Sequence, residues 1–534
     1  MTYSPQDLDE RRSQTFSLGI LPNFTWGIFC LLLLAFPNQS YGQISHIQAS
    51  VDYLNRGNFE EAESEARLAM NDPATKALAW AMLGTIRLQQ AKPGESVDCL
   101  TKAIELNPKL VGARVTLGDA YLLQGKTALA QKSFVEALDL DAGNFNARFE
   151  LAKLEASLSH FQESLGYAQP IASQLSEANE GILVLAADYA GLNEIAKVKD
   201  LTATWLSMPV PPDSASIEFA KVLVAHGLNE DAIHIIEYAN KGRRGKPPYE
   251  LSMILGDASV KLGELEKGSK FFEDAFDSNP HCVPCAIAVS NVAERQGNSE
   301  KALAYLIKAK LLAPDDPEIL FQFGKVCLQR NLVLDAIPAL EKAVQIKPDH
   351  DPYVYVLGSA NVTKGNLPEA ARLFGQLLKK HPEDPIVNYA LGTVYYLQAK
   401  YSDAEESLKK SIGLQPDQVA AYYYLGLTYN TLGQQEKASD IFREILKGHP
   451  NHGPSYTALG TILLREHKYD EAQSILNRAV ELDPDSGQAH FQLAQLLHRL
   501  GKTAESDEQY AVARKIEAER SAQGAVKLRL LTPN

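Results

Sequence analysis

Residues 385–418 read PIVNYALGTVYYLQAKYSDAEESLKKSIGLQPDQ, and the arrangement of this stretch fixes the architecture of most of the chain. Leu391, Val394, Tyr395, Leu397, Ala404 and Leu408 fall at helical steps, the pattern of two amphipathic helices that each bury one face. Gly392 and Ala404 stand where the helices would face one another, and only small side chains let two backbones approach closely. Outward from this stretch the same pattern recurs. Pro280, Pro314, Pro348, Pro382, Pro416, Pro450 and Pro484 follow one another at intervals of 34 residues. Gly84 and Gly118 share that spacing, and Gly256, Gly324, Gly358, Gly392, Gly426 and Gly460 hold the same phase, with Ala or Ser at the repeat positions between. Ala130, Ala302, Ala336, Ala370, Ala404, Ala438 and Ala472 form a second small row, twelve residues after the first. A period of this length marks an array of repeats, in which each unit buries its apolar face only by stacking on its neighbours.

The punctuation within each repeat has a mechanical sense. Gly57, Gly125, Gly227, Gly263, Gly297, Gly365, Gly433 and Gly501, with Asn193 and Asn331 as substitutes, stand seven residues after the first small position. Those residue types tolerate the left-handed conformation that ends a helix. Asp316 before Pro317 and Asp384 before Pro385 pair an N-cap with proline in the first helical turn.

This 34-residue helix-turn-helix, with small residues at positions 8 and 20 and proline at 32, resembles the tetratricopeptide repeat. The resemblance implies an all-α, right-handed superhelical solenoid of about fourteen repeats. Repeats are expected at 43–76, 77–110, 111–144, 145–178, 179–212 and 213–248, followed by eight regular ones over 249–520. Two extra residues fall in the sixth repeat. There MPVPPD (208–213) and KGRRGKPP (241–248) are rich in turn formers, so a domain boundary near 248 and a hinge or nicking site are expected. The last helix is polar on its outer face, as a terminal cap should be, and residues 521–534 are expected to form a loose tail.

Composition limits what such an array can do. Sixty-six acidic residues against 52 Lys plus Arg give a net charge of -14, the wrong sign for neutralising phosphates, so nucleic acid is not an expected partner. Hydrophobic residues at 45% allow a buried core and argue against disorder. Near the N-terminus, WGIFCLLLLAF (26–36) runs eleven residues without a charge. That length suits a signal-peptide core and falls short of the roughly 20 apolar residues that span a bilayer. Residues 1–42 are accordingly read as a signal peptide cleaved near Gly42, placing the protein in the periplasm or outside the cell. The alternative is a membrane anchor through residues 16–36, with the repeats still outside the cytoplasm. Bulky Phe29 argues against a lipid anchor at Cys30.

By resemblance, positions 2, 5, 9, 12 and 13 of each repeat line a concave groove that holds peptides or proteins. Position 5 supplies Phe321, Tyr355, Tyr389, Tyr423 and Phe491, and position 12 adds Tyr396. Large rigid rings give contact area at low entropic cost, but tyrosine at position 5 also serves packing between helices, and both roles stay open. Position 13 adds Lys261, Arg295, Arg465 and Arg499, so an extended, partly apolar and somewhat acidic partner is expected. The Lys and Asn pair with which some relatives grip chaperone tails is missing: where position 9 is Asn291, position 5 is Ile287.

One constellation has chemical potential. Cys282 and Cys285, in NPHCVPC, stand where a helix begins, a setting that acidifies thiols. They are expected to form a local disulfide or stay idle. A thiol oxidoreductase is the rival reading, and metal binding the least favoured, since one CxxC supplies only two of zinc's four ligands. Haem attachment needs a His after the second Cys. The chain carries no GxxxxGK[ST], GxSxG, HExxH or GxGxxG motif. The expectation is therefore a non-catalytic scaffold with no cofactor. A narrower version makes it a subunit of pilus, secretion or polysaccharide machinery in the envelope.

Overall fold

The structure, a computed structural model, describes residues 41–243 and 246–522. The leader (1–40, with Cys30) and the tail from 523 lie outside the described residues. Everything described is helix or connecting turn, and the helices pair in chain order as antiparallel hairpins. The fold is an all-α solenoid of stacked hairpins.

The hairpin over 385–418 shows how a repeat is built. Asp384 caps the first helix, A, by accepting the Val387 N–H at 3.0 Å, with Pro385 as its first residue. Helix A runs Pro385–Leu397 and the second helix, B, runs Tyr401–Leu414. Between them Ala399 adopts φ 58°, which turns the chain back. The expected glycines and asparagines adopt the same left-handed conformation, from Gly57 (φ 75°) to Gly501 (φ 77°), with Asn193 and Asn331 near 60°. Ala91, Ser159, Ala399 and His467 do so as well, at φ 56° to 62°. Position 15 is therefore left-handed in all fourteen repeats of the expected register.

Small residues close each hairpin. A Cβ placed on Gly84 would meet the Leu100 side chain at 2.5 Å, and one on Gly426 would meet the Phe442 ring at 2.7 Å. In both cases the partner lies sixteen residues on, at position 24. Where serine occupies a small position, its hydroxyl donates across the hairpin to the backbone carbonyl of the facing small residue. Ser96 Oγ reaches the Gly84 carbonyl at 2.7 Å, Ser164 Oγ the Ala152 carbonyl at 2.8 Å, and Ser506 Oγ the Ala494 carbonyl at 2.9 Å. Such bonds satisfy a buried hydroxyl and hold the helices at contact distance.

The chain forms two compact units, Met1–Ser278 and Asn279–Asn534. The division falls one repeat beyond the boundary expected near 248. Leu251, Leu255 and Ala258 pack in one core with Phe219, Leu223 and Trp205, so apolar burial runs through the turn-rich segments of the first unit. These segments are pinned: the Tyr238 hydroxyl donates to the Met208 carbonyl, Arg243 pairs with Asp213, and Lys246 meets Asp277 at 3.2 Å. The fourth repeat departs from the regular pattern, because its B helix stops at Ala168 and continues as a 3-10 turn, Gln169–Ile171, containing Pro170. In the second unit the hairpins are regular up to the terminal helix Thr503–Ala522. Among the described residues no helix is long and apolar enough to cross a membrane.

Candidate binding face on the A helices

The position-5 rings are placed by the hairpin itself. Each lies over the side chain nineteen residues on, the same position 24 that covers the small row. Tyr355 packs on Phe374 with ring centroids 5.4 Å apart, Tyr423 on Phe442 at 6.0 Å and Phe491 on Tyr510 at 5.6 Å. Tyr355 and Tyr423 are half-buried, Phe491 remains 42% exposed, and Tyr389 is fully enclosed, with Tyr424 of the next repeat 6.2 Å away. Phe321 is half-buried against Tyr353 at 4.7 Å, with Lys325 Nζ 5.5 Å from its ring centroid. Burial pushes the Tyr355 hydroxyl pKa up to about 12 and raises that of Tyr423. The expected open ladder is therefore interrupted. Tyr389 offers no surface, and the other position-5 rings share theirs with the hairpin core.

A second set of contacts ties one repeat to the next along positions 12 and 13. The half-buried Tyr396 packs beside Tyr401 (6.0 Å) and Tyr424 (5.7 Å) and is hydrogen-bonded to Thr431. One repeat further, Arg465 Nη1 donates to Asn430 Oδ1 at 3.4 Å. Thr431 and Arg465 are exposed, while Asn430, Leu427 and Leu464 are half-buried. Arg499, the next position 13, is exposed, as is Arg295 at the start of the unit. Lys261, in the first unit, is paired with Asp257 at 3.0 Å. Sequence reasoning picked out Tyr396 and Arg465 but missed Tyr424, Asn430 and Thr431, which join them to the neighbouring repeats. The signal was available: positions 2, 5, 9, 12 and 13 of repeats 351–384, 385–418 and 419–452 contain no Asp, Glu, Lys or Arg. In a chain with 22% charged residues, that leaves one neutral face made of rings, hydroxyls, an amide and aliphatic side chains.

Cys282 and Cys285 are joined, with S–S 1.96 Å and Cα atoms 5.3 Å apart. Cys282 is the N-cap of helix Val283–Arg295, its sulfur accepting the Cys285 N–H at 3.1 Å. The two residues are 6% and 0% exposed, which closes the pair to a protein-sized substrate. Cys327 is buried in the core, and burial lifts its thiol pKa to about 11, away from a reactive thiolate. Among the described residues no three His, Cys, Asp or Glu side chains are grouped to hold a metal ion.

Comparison with known proteins agrees with this geometry. Two family models, each described as "Tetratricopeptide repeat", match the chain, one over residues 77–110 and the other over 115–174, 290–351, 355–406, 390–452 and 457–522. The chain is 23% identical over 295 residues to the Protein CTR9 homolog of Arabidopsis thaliana, covering 52% of this chain and 26% of that protein. It is 23% identical over 211 residues to the TPR repeat-containing protein YpiA of Bacillus subtilis (strain 168), covering 38% of this chain and 48% of that one. Each match thus spans less than half of the relative. Among solved structures, the APC/C hetero-tetramer Cut9-Hcn1 aligns with TM-score 0.39 and 14% identity, covering 86% of this chain and 97% of that chain. YrrB, described as a TPR protein with an unusual peptide-binding site, aligns with TM-score 0.32 and 20% identity, covering 34% and 93%.

Proposed function

Because this chain belongs to the tetratricopeptide repeat family, a fold that serves protein–protein interaction, we propose that it is an exported scaffold. It holds an extended protein or peptide partner against the A helices of its second unit, without turnover. The observation that carries this reading is the uncharged face over repeats 351–452, where half-buried rings and exposed polar groups share one surface. Rings fixed by the hairpin beneath them lose little freedom on contact, and hydroxyls and amides along an extended row suit the backbone groups of a strand-like ligand. The leader around WGIFCLLLLAF supports export, and its cleavage or retention decides whether the scaffold is free or tethered. The buried Cys282–Cys285 pair weighs against the oxidoreductase reading, since thiol exchange needs access to a sulfur.

Site-specific photo-crosslinking in cells tests the proposal. A benzophenone side chain at Thr431, on the uncharged face, should trap a discrete partner, whereas the same probe at Lys447, exposed on a B helix, should not. Equal trapping from both positions, or none from either, would refute it.

A further inference from the structure

We infer that the partner presents a carboxylate to Arg465 and Arg499, with an uncharged, extended body lying over the repeats before them. The inference rests on the binding reading above and adds its chemistry and direction. Three observations converge. First, the positions that face a partner are free of charge across three consecutive repeats, so a partner dense in charge would strip its ions of water there without compensation. Second, the charge-free stretch ends at two arginines on the same repeat position, 34 residues apart. Both are exposed, and neither is paired with a carboxylate among the described residues. Third, Arg465 is held by the repeat before it: Asn430 takes one guanidinium N–H at 3.4 Å, and the remaining donors stay open to solvent. A planar fork positioned in this way matches the two oxygens of a carboxylate. Other arginines of the chain, such as Arg372 with Glu369 and Arg443 with Glu471, meet their carboxylates inside the molecule.

Either a C-terminal carboxylate or an Asp or Glu side chain supplies this chemistry, and the experiment separates the two. Pools of synthetic peptides with uncharged Ala, Val, Leu, Ser, Thr and Asn bodies are titrated against the full chain by fluorescence anisotropy. One pool ends in a free acid, one is amidated, one is amidated with an internal Glu, and one is amidated with an internal Lys. The free-acid pool or the Glu pool should bind about tenfold tighter than the neutral pool, and whichever does so names the source. In the R465E/R499E double variant that advantage should disappear and the Lys pool should gain. Both side chains are exposed, and a circular dichroism melt confirms that the variant folds. If all pools bind wild type equally and T431R abolishes their binding, the face is real and the carboxylate inference is overturned. If no pool binds wild type, both the inference and the binding reading fall.

Discussion

Gly358 lies directly beneath the ring of Phe374, so that a Cβ on the glycine would come within 2.7 Å of the ring carbon Cε1. The same pairing of positions 8 and 24 recurs along the chain. Every glycine at position 8 faces Leu or Phe: Leu100, Phe134, Phe272, Leu340, Phe374, Leu408, Phe442 and Leu476. Where position 8 carries a Cβ, position 24 is small in Ser50 with Ala66, Ala152 with Ala168 and Ala186 with Thr202. Ala220 with Ile236, Ser290 with Leu306 and Ala494 with Tyr510 depart from that rule. The volume shared by the two positions is what the fold conserves from one repeat to the next. Gly358→Ala should destabilise its hairpin by about 1 to 3 kcal/mol through overpacking. In a double-mutant cycle with Phe374→Ala, the combined loss should fall short of the sum of the single losses by about 1 kcal/mol or more. Urea unfolding of the four proteins measures this, and strict additivity would refute direct packing.

Ala399 sits in the left-handed conformation at φ 58°, where a Cβ costs about 1 kcal/mol and glycine has no such penalty. Ala399→Gly should therefore stabilise the hairpin over 385–414 by about 0.5 to 1 kcal/mol, against the usual direction of an alanine-to-glycine change. Gly433→Ala, at φ 76°, should weaken its own hairpin by a similar amount. Amide hydrogen exchange across the two hairpins reads both changes, and slower exchange in Ala399→Gly is the expected sign.

Asp188 is fully buried in the first unit, with Oδ2 accepting from Ser164 Oγ at 2.7 Å and Oδ1 unpartnered. Burial raises its pKa from 3.8 to about 7. Below about pH 3.8 the group is protonated both folded and unfolded. Between there and pH 7 the unfolded chain releases the proton while the folded chain keeps it, so this group's contribution to stability falls as pH rises and levels off above pH 7. Asp188→Asn removes the ionisation. It should stabilise the first unit by about 2 kcal/mol at pH 8 and by little at pH 4.5. Thermal melts at the two pH values decide, and an equal effect at both would show that the carboxyl does not titrate in this range.

Cys327 and Cys99 should separate by reactivity. Cys327 is fully buried with its thiol pKa raised to about 11, whereas Cys99 is only half-buried. An alkylating reagent applied to the folded protein should modify Cys99 first and reach Cys327 only on unfolding, as read by peptide mass spectrometry. Early labelling of Cys327 would contradict the core placement.

The fold was legible because the constraint at each small, turn or cap position falls on the backbone, and only a few residue types meet it. Gly392, Gly433 and Pro385 state their geometry by identity alone. Ala91, Ser159, Ala399 and His467 do not, since those residues are ordinary elsewhere, and only the period places them in the left-handed turn. The binding face was harder to read. A repeat position fixes the direction of a side chain but not its cover, and Tyr389 is enclosed because Tyr424 arrives from the next repeat. The division at Ser278 was hidden for a similar reason: prolines and glycines near 248 mark turns, while the core that runs past them is built by Leu251 and Leu255 from beyond the turn.

The Ser96 hydroxyl reaches the Gly84 carbonyl across its own hairpin, within a span of twelve residues, and the other serine clasps repeat that span. A chain clasped at such short range treats length as an adjustable quantity. Excising or duplicating a 34-residue block in phase would alter its reach and the register it presents to a long ligand, while leaving each surviving clasp intact.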